Sequence, residues 1–492
     1  MRIHSPYPAS WALAQRIGYL YSEGEIIYLA DTPFERLLDI QRQVGQCQTM
    51  TSLSQADFEA RLEAVFHQNT GESQQIAQDI DQSVDLLSLS EEMPANEDLL
   101  NEDSAAPVIR LINAILSEAI KETASDIHIE TYEKTMSIRF RIDGVLRTIL
   151  QPNKKLAALL ISRIKVMARL DIAEKRIPQD GRISLRIGRR NIDVRVSTLP
   201  SIYGERAVLR LLDKNSLQLS LNNLGMTAAD KQDLENLIQL PHGIILVTGP
   251  TGSGKSTTLY AILSALNTPG RNILTVEDPV EYELEGIGQT QVNTRVDMSF
   301  ARGLRAILRQ DPDVVMVGEI RDTETAQIAV QASLTGHLVL STLHTNRSGA
   351  VTRLRDMGVE SFLLSSSLAG IIAQRLVRRL CPQCRQFTPV SPQQAQMFKY
   401  HQLAVTTIGT PVGCPHCHQS GYQGRMAIHE MMVVTPELRA AIHENVDEQA
   451  LERLVRQQHK ALIKNGLQKV ISGDTSWDEV MRVASATLES EA

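Results

Sequence analysis

The sequence predicts a mixed α/β protein whose largest domain is a parallel sheet with crossover helices, preceded by a smaller α+β domain. Three observations predict it. Four short apolar runs, 244–247, 273–276, 314–317 and 338–341, alternate with helical stretches, the pattern of buried parallel strands joined by helices. A glycine-rich loop stands between the first run and a helix-like stretch from Thr257 to Leu266. Upstream, residues 106–215 read instead as alternating strands with two amphipathic helices.

Taken in order, residues 1–78 mix helical and strand patterns and carry no chemical motif. Residues 79–105 are acidic, no Lys or Arg occurs between Arg61 and Arg110, and Pro94-Ala95-Asn96 interrupts any helix. Two readings fit: a flexible linker that frees 1–78 as a docking domain, or an acidic helix packed on the same domain. In the α+β domain, 106–215, Val108 to Ile120 is an amphipathic helix. Residues 136–142 alternate as a strand into an Asp143-Gly144 turn. A helix spans Lys155 to Met167, and strands follow at 181–187, 191–197 and 207–211. Residues 216–223 form a hinge linker, and 224–492 the parallel-sheet domain.

Of the 492 residues, 42% are hydrophobic and 22% charged, ordinary for a soluble globular chain. The net charge of −7 and the 4% aromatic content argue against a nucleic-acid coat or a stacking platform for single strands. No apolar stretch approaches the roughly 18–20 residues that span a bilayer. Met1 to Leu20 lacks a signal peptide's apolar core. A cytoplasmic chain is expected, reaching a membrane only through partners.

The chemistry sits just past the carboxyl ends of the four runs, where open parallel sheets bind ligands. The first leads into Gly249-Pro250-Thr251-Gly252-Ser253-Gly254-Lys255-Ser256, with Thr257 opening the helix. Such a loop points backbone N–H groups and a helix N-terminus at phosphates. Lys255 reaches the β- and γ-phosphates and Ser256 ligates Mg²⁺. The second run leads to Glu277-Asp278, the third to Gly318-Glu319, the fourth to Thr342 and His344. Glu319 and Glu277 compete to position the attacking water, and Asp278 is a candidate for the metal shell. His344 is favoured over His337 as a γ-phosphate sensor, and both remain open to a structural reading. Arg302, Arg305 and Arg309 share one helical face, as solvated surface or as a subunit contact.

Cys47 stands alone. Cys381-Pro-Gln-Cys384 and Cys414-Pro-His-Cys417 repeat C-x₂-C across a 29-residue spacer. Four thiolates of this kind predict a closed structural Zn²⁺ site in a subdomain at 376–425. Redox pairs are the alternative, and His416 and His418 are read as bystanders.

These residues resemble the secretion superfamily of hexameric ATPases, within it the type II secretion and type IV pilus assembly branch. Four boxes carry the resemblance: the Walker A loop at 249–256, Thr-Val-Glu-Asp-Pro-Val-Glu-Tyr at 275–282, a Walker B segment at 311–322, and Gly336-His337 through Leu343-His344-Thr345-Asn346. Gly318 stands where an acid often ends the Walker B strand. Ser125-Asp126-Ile127-His128-Ile129-Glu130, Arg139 to Gly144, Asp193 to Pro200 and Gly204-Glu205-Arg206 look like the family's domain that precedes the ATPase core.

The resemblance implies a RecA-like P-loop core behind a PAS-like α+β domain. It implies ATP as substrate and arginine fingers at Arg195 and Arg210. It further implies a homo-hexamer attached peripherally to the inner membrane, with residues 1–78 docking on the cytoplasmic domain of component L and a platform protein, component F, receiving the work. The tetracysteine insert resembles assembly motors rather than retraction motors. The N-terminal module, linker and insert together look closest to the type II secretion branch, whose motors drive pseudopilus assembly and export of folded proteins. A pilus assembly ATPase is the near alternative and a DNA-translocating ATPase the distant one.

Overall fold

The computed structural model describes residues 107–488, apart from 188–189, 214–218, 348 and 459–460, and short stretches between 17 and 58. The acidic stretch 79–105, Cys47 and most of 1–78 lie outside the described residues. The chain divides into two compact units, 1–217 and 218–492.

In the first unit, β1 (Ile17–Leu20), β2 (Glu25–Leu29) and β3 (Thr49–Leu53) form a small sheet whose buried residues include Ile26 and Ile27. Then follow α1 (Pro107–Lys121), β4 (Asp126–Thr131), β5 (Met136–Ile142), β6 (Val145–Leu150), α2 (Lys155–Met167), β7 (Gln179–Ile187), β8 (Arg190–Ser201) and β9 (Gly204–Asp213). The six strands make an antiparallel sheet in the order β6-β5-β4-β9-β8-β7. Asp143 and Gly144 both take positive φ, 50° and 86°, as a tight I′ hairpin turn requires.

Alternation divides this sheet. Ile127, Ile129, Ile138, Phe140, Val194, Val196 and Leu209 pack against Leu111, Ile115, Leu160 and Ile164 of the helices. The opposite face is charged. Asp126 binds Arg210 at 3.0 Å and Arg141 at 3.7 Å. Glu130 binds Arg139 at 2.6 Å and Arg206 at 2.8 Å. The fully buried Lys165 of α2 pairs with Glu205, which ties the β8–β9 turn to that helix.

The second unit is built on a seven-stranded sheet. Its members are β10 (Gly243–Thr248), β11 (Ile273–Glu277), β12 (Gly288–Gln291), β13 (Val314–Val317), β14 (Leu338–Leu343), β15 (Leu368–Leu380) and, beyond an insert, β18 (Tyr422–Val433). The order is β12-β11-β13-β14-β10-β15-β18, parallel throughout except for the β15–β18 pair. The four predicted runs are its four adjacent central strands. Helix α3 (Lys255–Leu266) covers one face, and α4 (Phe300–Ile307) and α5 (Thr323–Leu334) the other. Strand β10 is wholly buried. Ile245 and Val247 meet the α3 side while Ile244 and Leu246 meet the α4–α5 side.

The insert, 381–421, leaves the end of β15 and returns at the start of β18. It contains a two-stranded sheet, β16 (Gln386–Pro389) with β17 (Thr407–Thr410). After β18 come α6 (Glu448–Gln458), α7 (Leu462–Ile471) and α8 (Trp477–Leu488). Phe398 and Ile408 of the insert are buried with Ile463, Leu467 and Val470 of α7 and Val480 of α8. Among the described residues no helix is long and apolar enough to cross a membrane.

Candidate active site at the phosphate loop

The turn from β10 into α3 has a shape that only glycine permits. Gly249, Gly252 and Gly254 have φ of 145°, 78° and 88°, a region that L side chains avoid. A Cβ on Gly249 would stand 2.5 Å from Ser253 Oγ and 2.6 Å from the Gln374 carbonyl. Inside this curl Ser253 Oγ is buried with no hydrogen-bond partner. An unsatisfied hydroxyl in a glycine cradle at a helix N-terminus fits a phosphate, which supplies the missing acceptor. Pro250, Thr251, Ser256 and Thr257 are exposed around the rim.

Lys255 is buried, and its Nζ donates to the loop carbonyls of Gly249 (2.9 Å) and Pro250 (3.1 Å). Burial holds its pKa below the ordinary lysine range. Glu319 opposes that shift and Arg375 adds to it.

Glu319 lies one residue past Gly318 at the end of β13. One carboxylate oxygen accepts from Arg321 at 2.8 Å, and the other meets His344 Nε2 at 3.1 Å. The ends of β13 and β14 are thus joined by a charged contact, and Glu319 lies near enough to Lys255, just past β10, to favour its charge. A Cβ on Gly318 would meet the Glu277 Cα at an ordinary 3.4 Å, so nothing in the packing explains the missing acid at that position. His337 takes a different part, its Nδ1 2.8 Å from the Ala332 carbonyl of α5.

Glu277 is the buried last residue of β11. Its carboxylate accepts from Tyr260 of α3, from Thr275 at 2.5 Å and from Gln289 of β12 at 3.0 Å. Burial, then Glu277, keeps the Tyr260 phenol protonated far above the usual tyrosine range. Asp278 is exposed and close enough to Arg321 to stabilise its charge. Arg302 and Arg305 form surface ion pairs with Asp297 and Glu324, and Arg309 donates to the Arg305 carbonyl.

Two neighbours of the loop escaped the sequence reading. Gln374 of β15 is fully buried, donating to the Ser253 carbonyl at 2.7 Å and accepting from Thr258 Oγ1 at 2.8 Å. Arg375 follows it. Their one signal is a polar pair inside the otherwise apolar run 368–377. Arg195 and Arg210 belong to the first unit. They face each other in register across β8 and β9, Arg210 half-exposed on Asp126 and Arg195 partly buried.

The four insert cysteines form a second centre. Their sulfur atoms all lie within 4.8 Å of one another, with Cys381–Cys414 at 3.9 Å and Cys384–Cys417 and Cys414–Cys417 at 3.7 Å. Thiolates about 2.3 Å from a tetrahedral ion stand roughly 3.8 Å apart, so the set is sized for a metal. The backbone N–H groups of Cys414 and Gly421 both donate to Cys417 Sγ at 3.2 Å, as outer-shell donors do for metal-bound thiolates. His416 and His418 are exposed.

Residues 101–482 match the family described as type II/IV secretion system protein. The chain is 61% identical over 450 residues to the type II secretion system protein E of Aeromonas hydrophila, covering 91% of this chain and 90% of that protein. It is 60% identical over 465 residues to the type II secretion system ATPase E of Vibrio cholerae, covering 94% and 92%. Among solved structures, the pilus retraction motor PilT with bound ADP superposes with a TM-score of 0.52 at 29% identity, covering 75% of this chain and 95% of that one. The ATPase DotB of Legionella pneumophila gives 0.57 at 22% identity over 80% and 98%, a likeness of fold.

Proposed function

This chain belongs to the type II/IV secretion system protein family, and from that premise we propose how its residues carry out ATP hydrolysis for type II secretion. It is an ATPase of the type II secretion class. The observation that carries the mechanism is the convergence of Lys255, Glu319 and His344 at the ends of three neighbouring strands. The amides of 249–256 and the Thr257 turn hold the phosphates, and Lys255 exchanges its loop carbonyls for phosphate oxygens. Mg²⁺, when bound, neutralises charge on those oxygens. Ser256, exposed at the first helical turn, would hold it, and Asp278 would contribute to its shell. Glu319 orients the attacking water, and His344 fixes that carboxylate and senses the terminal phosphate. A second reading gives the water to Glu277, which ends the adjacent strand. Its three hydrogen bonds favour a positioning role instead.

Replacing Glu319 by Gln keeps the volume and removes the charge. Turnover should fall about 10²-fold or more, with nucleotide binding within a few-fold of the parent. A Glu277→Gln variant that loses as much, beside an active Glu319→Gln, would transfer the water to Glu277.

Arg195 and Arg210 act as fingers on a nucleotide held by the neighbouring subunit of a homo-hexamer. Asp126 takes Arg210 through Nε, which leaves the outer N–H groups for phosphate. Arg210→Ala should cut kcat by about 10³-fold while the Kd for ATP changes little. Mixed with an inactive Lys255→Ala chain, it should regain measurable turnover, because a mixed ring pairs an intact loop with an intact finger. Absence of recovery would count against action between subunits.

Residues 1–78 dock on the cytoplasmic part of component L, holding the motor at the inner membrane. Component F receives the work of pseudopilus assembly. The four cysteines hold Zn²⁺, which supplies rigidity to the insert and no chemistry to the reaction.

A further inference from the structure

Strand β15 runs parallel to β10 with Ala373 opposite Thr248. Arg375, two residues on, therefore stands just past the carboxyl end of β10, where the phosphate loop begins. The backbones touch there, since the Gln374 carbonyl is what a Cβ on Gly249 would strike at 2.6 Å. Arg375 Nη1 donates to that same carbonyl at 3.0 Å, its one hydrogen bond among the described residues. The guanidinium is pinned beside the loop by one N–H, and its other donors remain for a ligand.

The charges around it are unbalanced. Glu430 of β18, the acid that favours the charge of Arg375, is bound by the buried Arg347 at 2.7 Å. Glu319 is bound by Arg321 and His344. Lys255 has only carbonyls. Lys255 and Arg375 are thus two partly desolvated cations close enough to disfavour one another, an arrangement that a polyanion relieves.

We propose that Arg375 is a ligand of the terminal phosphates of bound ATP, supplied by the same chain as the loop. This rests on reading 249–257 as the ATP site. It makes Arg375 distinct from Arg195 and Arg210, which reach a neighbour's nucleotide. A guanidinium offers phosphate a two-pronged fork that lysine does not reproduce.

The test uses the full chain carrying Arg375→Ala, Arg375→Gln or Arg375→Lys, titrated with N-methylanthraniloyl-ATP and N-methylanthraniloyl-ADP, with thermal melting as a check on folding. The Ala and Gln variants should bind the triphosphate about ten-fold or more weakly and the diphosphate within about three-fold of the parent. The Lys variant should recover part of the loss. Triphosphate binding within two-fold of the parent in any folded Ala or Gln variant would overturn the assignment, as would equal loss of both nucleotides with a lowered melting point. Loss of binding in Lys255→Ala beside normal binding in Arg375→Ala would keep the ATP site and remove this ligand. Normal binding in both would remove the site itself.

Discussion

Lys255→Ala abolishes turnover, with a fall of at least about 10³-fold in kcat expected from removing the charge at the transferring phosphoryl group. The argument rests on where this lysine already is. It is buried, held by two carbonyls of its own loop, and bound by no carboxylate among the described residues. A cation so placed gains its full counter-charge only when phosphate arrives. Truncation leaves Gly249 and Pro250 with carbonyls that rim water can satisfy, so folding should change little. Steady-state phosphate release by the purified variant is the check. Hydrolysis near the parent's rate would remove the loop from the mechanism.

The second large effect is loss of the metal. Four thiolates at 3.7–3.9 Å contacts, two of their amide donors already aimed at Cys417, predict one zinc per chain in anaerobically purified protein. The double variant Cys381→Ser/Cys414→Ser should contain essentially none. Structural zinc contributes on the order of 10 kcal/mol in small domains, more than an insert of this size can lose and stay ordered. Amides of 381–421 should therefore exchange rapidly in the variant while those of β10, β13 and β14 stay protected. A metal-free parent protein, or protected insert amides in the variant, would refute the zinc assignment.

The central strands and their loops were legible because each is a local signal. Ile244 to Val247 is an unbroken apolar run, Gly249 to Ser256 is a contiguous motif, and the cysteine pairs announce themselves by spacing. Strand β15 was not legible. It is buried on both faces, so it lacks alternation, and Gln374 and Arg375 in its middle contradict a central strand. Gln374 is tolerated there because it reaches back to Ser253 and Thr258, pairings far away in sequence. Edge strand β12, Gly-Gln-Thr-Gln, has no apolar pattern at all. Its Gln289 is explained by partners distant from it in the strand pattern: the Glu277 carboxylate, the Tyr282 carbonyl and the Leu284 N–H. The carboxylates could be named but not ranked, since Tyr260 and Gln289 on Glu277 and His344 on Glu319 come from other elements.

The insert departs from Leu380 and returns at Tyr422, and those two residues are cross-strand partners. Its ends therefore meet within one rung of the ladder, and a short turn could replace it without shifting the register of either strand. Topologically it is a cassette that a lineage could acquire or discard in a single step. Packing makes the exchange harder than the topology suggests. Phe398 and Ile408 roof the apolar side of α7 and α8, so a trimmed chain would bare Leu467, Val470 and Val480 to water. Lineages that dispense with the cassette must also recolour that terminal hairpin with polar residues or find it another roof.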